Sequence, residues 1–182
     1  MVYRMNIFIE GDDDLDFFDK ILKPYFNSKF RISYIKYQKM KIHSRSHIIS
    51  ICEKRNQEYY FFRDIDNAPC VTEKKNTIMK EIKGCNGQID LNRIIIVIKR
   101  IESWYLAGLD EKAKNIIGIR KKIELTENIS KSYFENLIPK NITRTEFLIE
   151  ILNNYNLSTA KKNNKSFRYF FKKFIENNPQ LK

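Results

Sequence analysis

The chain is predicted to be an α/β protein: a mostly parallel sheet flanked by helices, followed by a helical C-terminal extension. Three observations predict it. Strand-like apolar runs alternate with helix-like segments between residues 3 and 98, the pattern of βαβ crossovers in one parallel sheet. Tyr59-Tyr60-Phe61-Phe62 and Ile94-Ile95-Ile96-Val97-Ile98 are apolar without alternation, as strands buried on both faces are. From residue 110 onward no strand pattern appears. The boundaries expected are 1–108 for the sheet domain and 109–182 for a basic helical extension.

Taken in order, residues 3–9 read as the first strand, and Glu10-Gly11 follows it directly. Gly11 permits a tight turn or close approach of a ligand to the backbone. Asp12, Asp13 and Asp14 precede an amphipathic helix with Leu15, Phe18, Ile21, Leu22 and Tyr25 on one stripe. Acids at a helix start also cap free N–H groups and oppose the helix dipole, which is the simpler account of Asp12 and Asp13. Residues 30–37 alternate and read as a strand near the sheet edge. Ser44 or Ser46 is placed to cap a helix that turns Ile48, Ile51 and Cys52 inward. His43 and His47, at i and i+4, have a chelating spacing but no third ligand, and read as solvated residues. After the aromatic strand, Asn67-Ala68-Pro69 forms a turn, and Thr72 is placed to cap a helix running to Lys83.

In the C-terminal part, Gly118 and Pro139 break the helical patterns. Thr143 or Thr145 starts a helix with Phe147, Leu148, Ile151 and Leu152 inward. Lys161, Lys162, Lys165, Arg168, Lys172 and Lys173 interleave with aromatics, and no acid occurs from 161 to 175. Phe167, Phe170, Phe171 and Phe174 follow helical spacing, so they are expected in the core with the cations outside.

The formal net charge is +12, with 42% hydrophobic and 13% aromatic residues, a globular composition. Residues 1–110 hold 19 Lys and Arg against 15 acids (net +4), and residues 111–182 hold 15 against 7 (net +8). Such a balance attracts polyanions, so DNA or RNA is the first partner to consider. An AT-rich genome would also raise lysine content. No apolar run approaches the roughly 20 residues of a membrane span, and no signal-peptide pattern opens the chain, so a soluble, cytoplasmic protein with no membrane partner is expected. Cys52, Cys70 and Cys85 form no C-x2-C pair, so neither a disulfide framework nor a zinc site is indicated.

The chemistry is carried by acids at strand ends. Asp64 and Asp66 are two apart, and on an extended segment they point the same way. Glu10, Asp64, Asp66 and Glu102 each follow an apolar run closely, and parallel strands put their carboxyl ends on one edge, where ligands of open α/β sheets bind. Carboxylates gathered there repel, and a hard divalent cation such as Mg2+ relieves that cost.

Glu10-Gly11 after the first strand and Asp64-Ile65-Asp66 after the third resemble the two signatures of the TOPRIM domain. Within that fold, Glu10-Gly11-Asp12-Asp13-Asp14 with Phe17-Phe18, and the later Ile101-Glu102-Ser103-Trp104-Tyr105-Leu106, resemble the OLD-like and RloB-like nucleases. The resemblance covers roughly residues 3–107. The Gly that many TOPRIM proteins carry after the D-x-D is replaced by Asn67-Ala68-Pro69-Cys70. No Walker A sequence is present, so the ATPase half of an OLD protein is missing from this chain, and a separate ATPase subunit is a partner to consider. The resemblance implies Glu10, Asp64 and Asp66 as metal ligands, with Asp14 and Glu102 as further acidic members. The reading that follows is a nuclease using Mg2+ or Mn2+, with Lys99 or Arg100 neutralising the phosphate in the transition state. The six C-terminal cations would hold the nucleic-acid backbone. The alternatives are a non-catalytic nucleic-acid-binding module or a subunit of a defence or repair complex. A phosphoacceptor receiver fits less well, because no lysine follows a fifth strand, and haloacid-type phosphatases carry D-x-D after the first strand. A homodimer is compatible with all of these.

Overall fold

The computed structural model describes residues 3–26, 30–85, 87–121, 123 and 126–178. It is α/β, with a four-stranded, all-parallel sheet flanked by helices. The strands are β1 (Tyr3–Ile9), β2 (Phe30–Lys36), β3 (Glu58–Asp64) and β4 (Ile94–Val97), in the order β2-β1-β3-β4. The chain divides into two compact units, Met1–Asp16 with Phe26–Ile96, and Phe17–Tyr25 with Val97–Lys182.

The first unit holds the sheet. Met5, Ile7, Phe8 and Ile9 are all fully buried, so β1 is covered on both faces, and β3 buries Tyr59 through Phe62 likewise. Apolar side chains on both faces are what make these runs continuous rather than alternating. β2 lies at one edge and is half-exposed along its length, as its alternation predicts, whereas β4, whose unbroken apolar run reads as a central strand, lies at the other edge. Helices α2 (Ile42–Lys54) and α3 (Val71–Lys83) pack together. They cover a core of Phe8, Tyr59, Phe61, Ile94 and Ile96 with Ile49, Cys52, Ile78 and Ile82.

Several helix starts differ from expectation. α2 begins at Ile42 behind Lys41, so Ser44 and Ser46 lie inside it. Ser46 is buried and donates to the carbonyls of Ile82 and Cys85 at 3.3 Å, tying α2 to the end of α3 instead of capping. Cys52 turns inward as expected and Ile48 packs part-buried against the core, while Ile49 is the fully buried isoleucine of α2. α3 begins at Val71 behind an extended Cys70, with no side-chain cap from Thr72. The first helix, α1, covers only Asp12–Phe17, and the chain then widens into a π turn (Phe18–Leu22) and a short 3-10 turn (Lys23–Tyr25). That widening buries Phe17, Phe18 and Leu22 and leaves Tyr25 exposed, so the expected stripe breaks at its far end.

The second unit is helical among its described residues after Val97. It comprises α4 (Ile101–Ala107), α5 (Glu111–Ile117), α6 (Lys131–Glu135), α7 (Arg144–Asn153), α8 (Leu157–Asn163) and α9 (Lys165–Phe170), followed by a π turn (Phe171–Glu176). Every residue of α4 is buried. The Trp104 ring stacks on Phe170 at 5.2 Å, meets Phe167 edge-on at 5.2 Å and donates from Nε1 to Ser166 Oγ at 2.8 Å. α5 stops at Gly118, whose φ of 85° suits glycine at a left-handed helix end. Thr143 starts α7 with a full capping box to Glu146, and Phe147, Leu148, Ile151 and Leu152 turn inward as expected. Asn164 separates α8 from α9. It is fully buried, caps Phe167 N at 2.9 Å and donates to Thr126 Oγ1 at 3.2 Å, so a run with continuous helical spacing becomes two helices. No helix among the described residues is long and apolar enough to cross a membrane.

Candidate functional site

The register of the sheet builds the site. β1 pairs with β2 so that Ile9 lies beside Lys36, and with β3 so that Phe8 lies beside Phe61. Carried on past the strand ends, that register sets Glu10 level with Tyr37 on one side and Arg63 on the other. Glu10 Oε1 accepts from the Tyr37 hydroxyl at 3.1 Å and stands 3.4 Å from Asp64 N and 3.6 Å from Arg63 Nε. Glu10 and Asp64, expected together from two strand ends far apart in sequence, are therefore neighbours at the carboxyl edge.

Tyr37 is the hub of this edge, and sequence reasoning treated it only as the end of a strand. Its N–H donates to the Ile9 carbonyl at 3.0 Å, and its hydroxyl donates to the buried Phe62 carbonyl at 2.7 Å. Its ring stacks on Phe61 at 4.6 Å, with Arg45 and Arg63 over it at 5.2 and 5.8 Å. Burial, with the Glu10 carboxylate beside it, pushes the hydroxyl well above the usual tyrosine range, so it remains a donor. A single residue thus ties together the ends of β1, β2 and β3. The signal available in sequence was positional: Tyr37 follows β2 at the level where Glu10 follows β1.

Tyr37→Phe keeps the ring and removes the hydroxyl, whose single proton is shared between the buried Phe62 carbonyl and Glu10. The expected cost is about 1–3 kcal/mol of stability, read as a lower urea midpoint at unchanged slope. An unchanged midpoint would show that the hydroxyl holds nothing together.

The other acids are held differently. Asp14 is buried and accepts from Gly11 N at 2.9 Å, the backward reach of an acid in the third position of a helix. Asp12 is exposed and pairs with Lys36 at 2.7 Å, which lowers its carboxyl below the usual range. A Cβ added at Gly11 would meet open space, so packing within the described chain does not require glycine there. The extended segment on which Asp64 and Asp66 would point alike stops short of Asp66. β3 ends at Asp64, and Asp66 sits in the following turn with φ of 50°. Asp66 is half-exposed and pairs at 2.5 Å with Lys74, a side chain only 10% exposed in the first turn of α3.

Lys99 and Glu102 belong to the second unit. Lys99 follows β4 with φ of 66° and is exposed. Glu102 is buried in the first turn of α4, where Arg144 Nη2 reaches it at 3.1 Å, while Arg144 Nε meets Glu135 at 2.9 Å. Of the six C-terminal cations, Lys162, Lys165, Arg168 and Lys172 are exposed. Lys161 pairs with Glu176 at 3.0 Å, and Lys173 lies over the Tyr169 and Phe174 rings. His43 and His47 are both exposed on α2.

Among the described residues, no three His, Cys, Asp or Glu side chains stand together as a ready metal cage. The donor chemistry nonetheless suits Mg2+, which takes hard oxygen ligands, keeps several waters and is held by as few as one or two carboxylates. Glu10 and Asp64 are the two carboxylates that adjacent strand ends would offer it.

Fold and site together define the class: an α/β protein with a parallel sheet at whose carboxyl edge Glu10 follows β1 and Asp64 ends the neighbouring β3. Comparison with known proteins returned no match to a family model, to a curated protein or to a solved structure.

Proposed function

We propose that this chain is a metal-dependent nuclease of TOPRIM type, hydrolysing phosphodiester bonds of nucleic acid at the carboxyl edge of its sheet. The observation that carries the reading is the meeting of Glu10 and Asp64 at 3.4 Å, carboxylate oxygen to backbone N–H, on a chain of net charge +12. Glu10 and Asp64 would hold Mg2+ or Mn2+, with Asp14 and Asp66 as further acidic members. The ion would supply a Lewis acid for the phosphate and a water of lowered pKa. Tyr37 holds Glu10 in place by its hydrogen bond. Arg63 and Lys74, each paired with an acid, would take phosphate oxygens if those acids bound the ion. The basic residues of α8 and α9 would hold the backbone of the nucleic acid. Lys99 and Glu102 remain candidates on the resemblance alone.

A second reading is favoured by one set of observations. Glu10, Asp66 and Glu102 already have cationic partners in Arg63, Lys74 and Arg144, so their charge is balanced without an ion. That suits a non-catalytic nucleic-acid-binding module, or a subunit that gains activity from a separate ATPase or a second copy.

The test is incubation of purified protein with single- and double-stranded DNA and RNA under Mg2+, Mn2+ and EDTA. Cleavage that EDTA abolishes supports the nuclease. Binding without cleavage under either metal favours the module.

A further inference from the structure

Of the five aromatics between Lys161 and Ile175, four are core: Phe167, Phe170, Phe171 and Phe174 are at most 6% exposed. Tyr169 is the exception, 60% exposed on the outer face of α9. A large aromatic left in water forgoes the stabilisation that burial would give, so its surroundings matter. Lys165 is one turn before it and Lys172 and Lys173 one turn after, the spacings that make neighbours on a helix surface. Lys173 Nζ lies 3.2 Å from the Tyr169 hydroxyl and 5.6 Å from its ring centroid. Arg168 beside it is exposed, as are Lys162, Lys165 and Lys172. No acid occurs from 161 to 175; Glu176 pairs with Lys161, and Glu127 accepts from Lys165 N at the start of α9.

An exposed ring set among cations meets two demands at once. The cations attract phosphates, and the ring offers a flat apolar face. A duplex presents its phosphates but keeps its bases stacked inside, so the ring would have nothing to engage. A single strand presents both, and base–aromatic stacking beside a basic track is how such strands are held. We infer that the outer face of α9, centred on Tyr169, binds single-stranded nucleic acid by stacking one unpaired base on the tyrosine ring. This rests on the nucleic-acid part of the function proposed above and names the strand state of the substrate.

The test is fluorescence anisotropy in EDTA, so that no cleavage intervenes. The probes are a labelled oligothymidine of roughly 20 nucleotides and a labelled duplex of the same length. Wild type is expected to bind the single strand more tightly. Tyr169→Ala should weaken single-strand binding by roughly 5- to 100-fold, one stacked base, and leave duplex binding unchanged. Tyr169→Phe keeps the stacking face and should bind the single strand within about twofold of wild type. Because the ring is exposed, neither substitution opens the core, and an unchanged circular dichroism spectrum verifies that. Tyr169→Ala binding the single strand as well as wild type, or losing single strand and duplex equally, overturns the inference while leaving nucleic-acid binding intact. Wild type that binds neither probe overturns the nucleic-acid reading and the inference with it.

Discussion

Asp64→Asn is expected to lose metal-dependent cleavage by roughly a thousandfold, the loss of about 4 kcal/mol of charge stabilisation. The substitution keeps the shape of the side chain and removes its charge. Asp64 closes β3, is 8% exposed and has its N–H 3.4 Å from Glu10 Oε1, and under the function proposed above its carboxylate would be a ligand of the ion. A neutral amide is a weaker ligand for a hard cation than a carboxylate. Folding should survive, because the volume is unchanged and the surrounding strand is untouched. Two measurements separate the possibilities: initial cleavage rates under Mg2+, and Mn2+ binding by calorimetry. Wild-type rates in the variant would reject Asp64 as a ligand. Lost binding with an unchanged thermal midpoint is the result expected of a ligand that the fold does not need.

Trp104→Ala is expected to cost about 3–5 kcal/mol, a large share of the roughly 5–15 kcal/mol that holds a typical domain together. Trp104 is fully buried, with Phe17, Phe167 and Phe170 around its ring. Its backbone carbonyl accepts from the Tyr155 hydroxyl at 3.0 Å. Removing the indole leaves a cavity lined by rigid rings that cannot close over it, and leaves Ser166 without its donor. Urea denaturation followed by far-ultraviolet circular dichroism measures the loss. A decrease below about 1 kcal/mol would mean that the second unit is not built around this residue.

Much of this was legible in the sequence because it depends on local chemistry. The uninterrupted apolar character of Tyr59–Phe62 and Ile94–Val97 announces strands covered on both faces. Four phenylalanines at helical spacing announce the buried side of the C-terminal helices, and Thr143 announces the start of α7 through a hydroxyl and an acid three residues on. Where expectation failed, a longer-range contact won. Ser46 forms hydrogen bonds with the end of α3, which holds it inside α2. Asn164 has a buried partner in Thr126, which breaks a run whose spacing alone would have continued as one helix.

The site divides along the same line. That acids follow β1 and β3 is written in the chain, and a parallel sheet then requires them to share an edge. The sequence by itself determined the α/β class, the parallel sheet, the strand-end acids and the basic C-terminal face. These follow from side-chain polarity and spacing, which are properties of neighbours along the chain. Only the tertiary structure decided that Tyr37 binds Glu10, that Asp66 pairs with Lys74, that Arg144 meets Glu102 and that Tyr169 alone among its aromatics stays in water. Those outcomes depend on strand register, on a single left-handed turn residue and on which helix face is covered. Each is fixed by contacts between residues distant in sequence, and no local pattern encodes them.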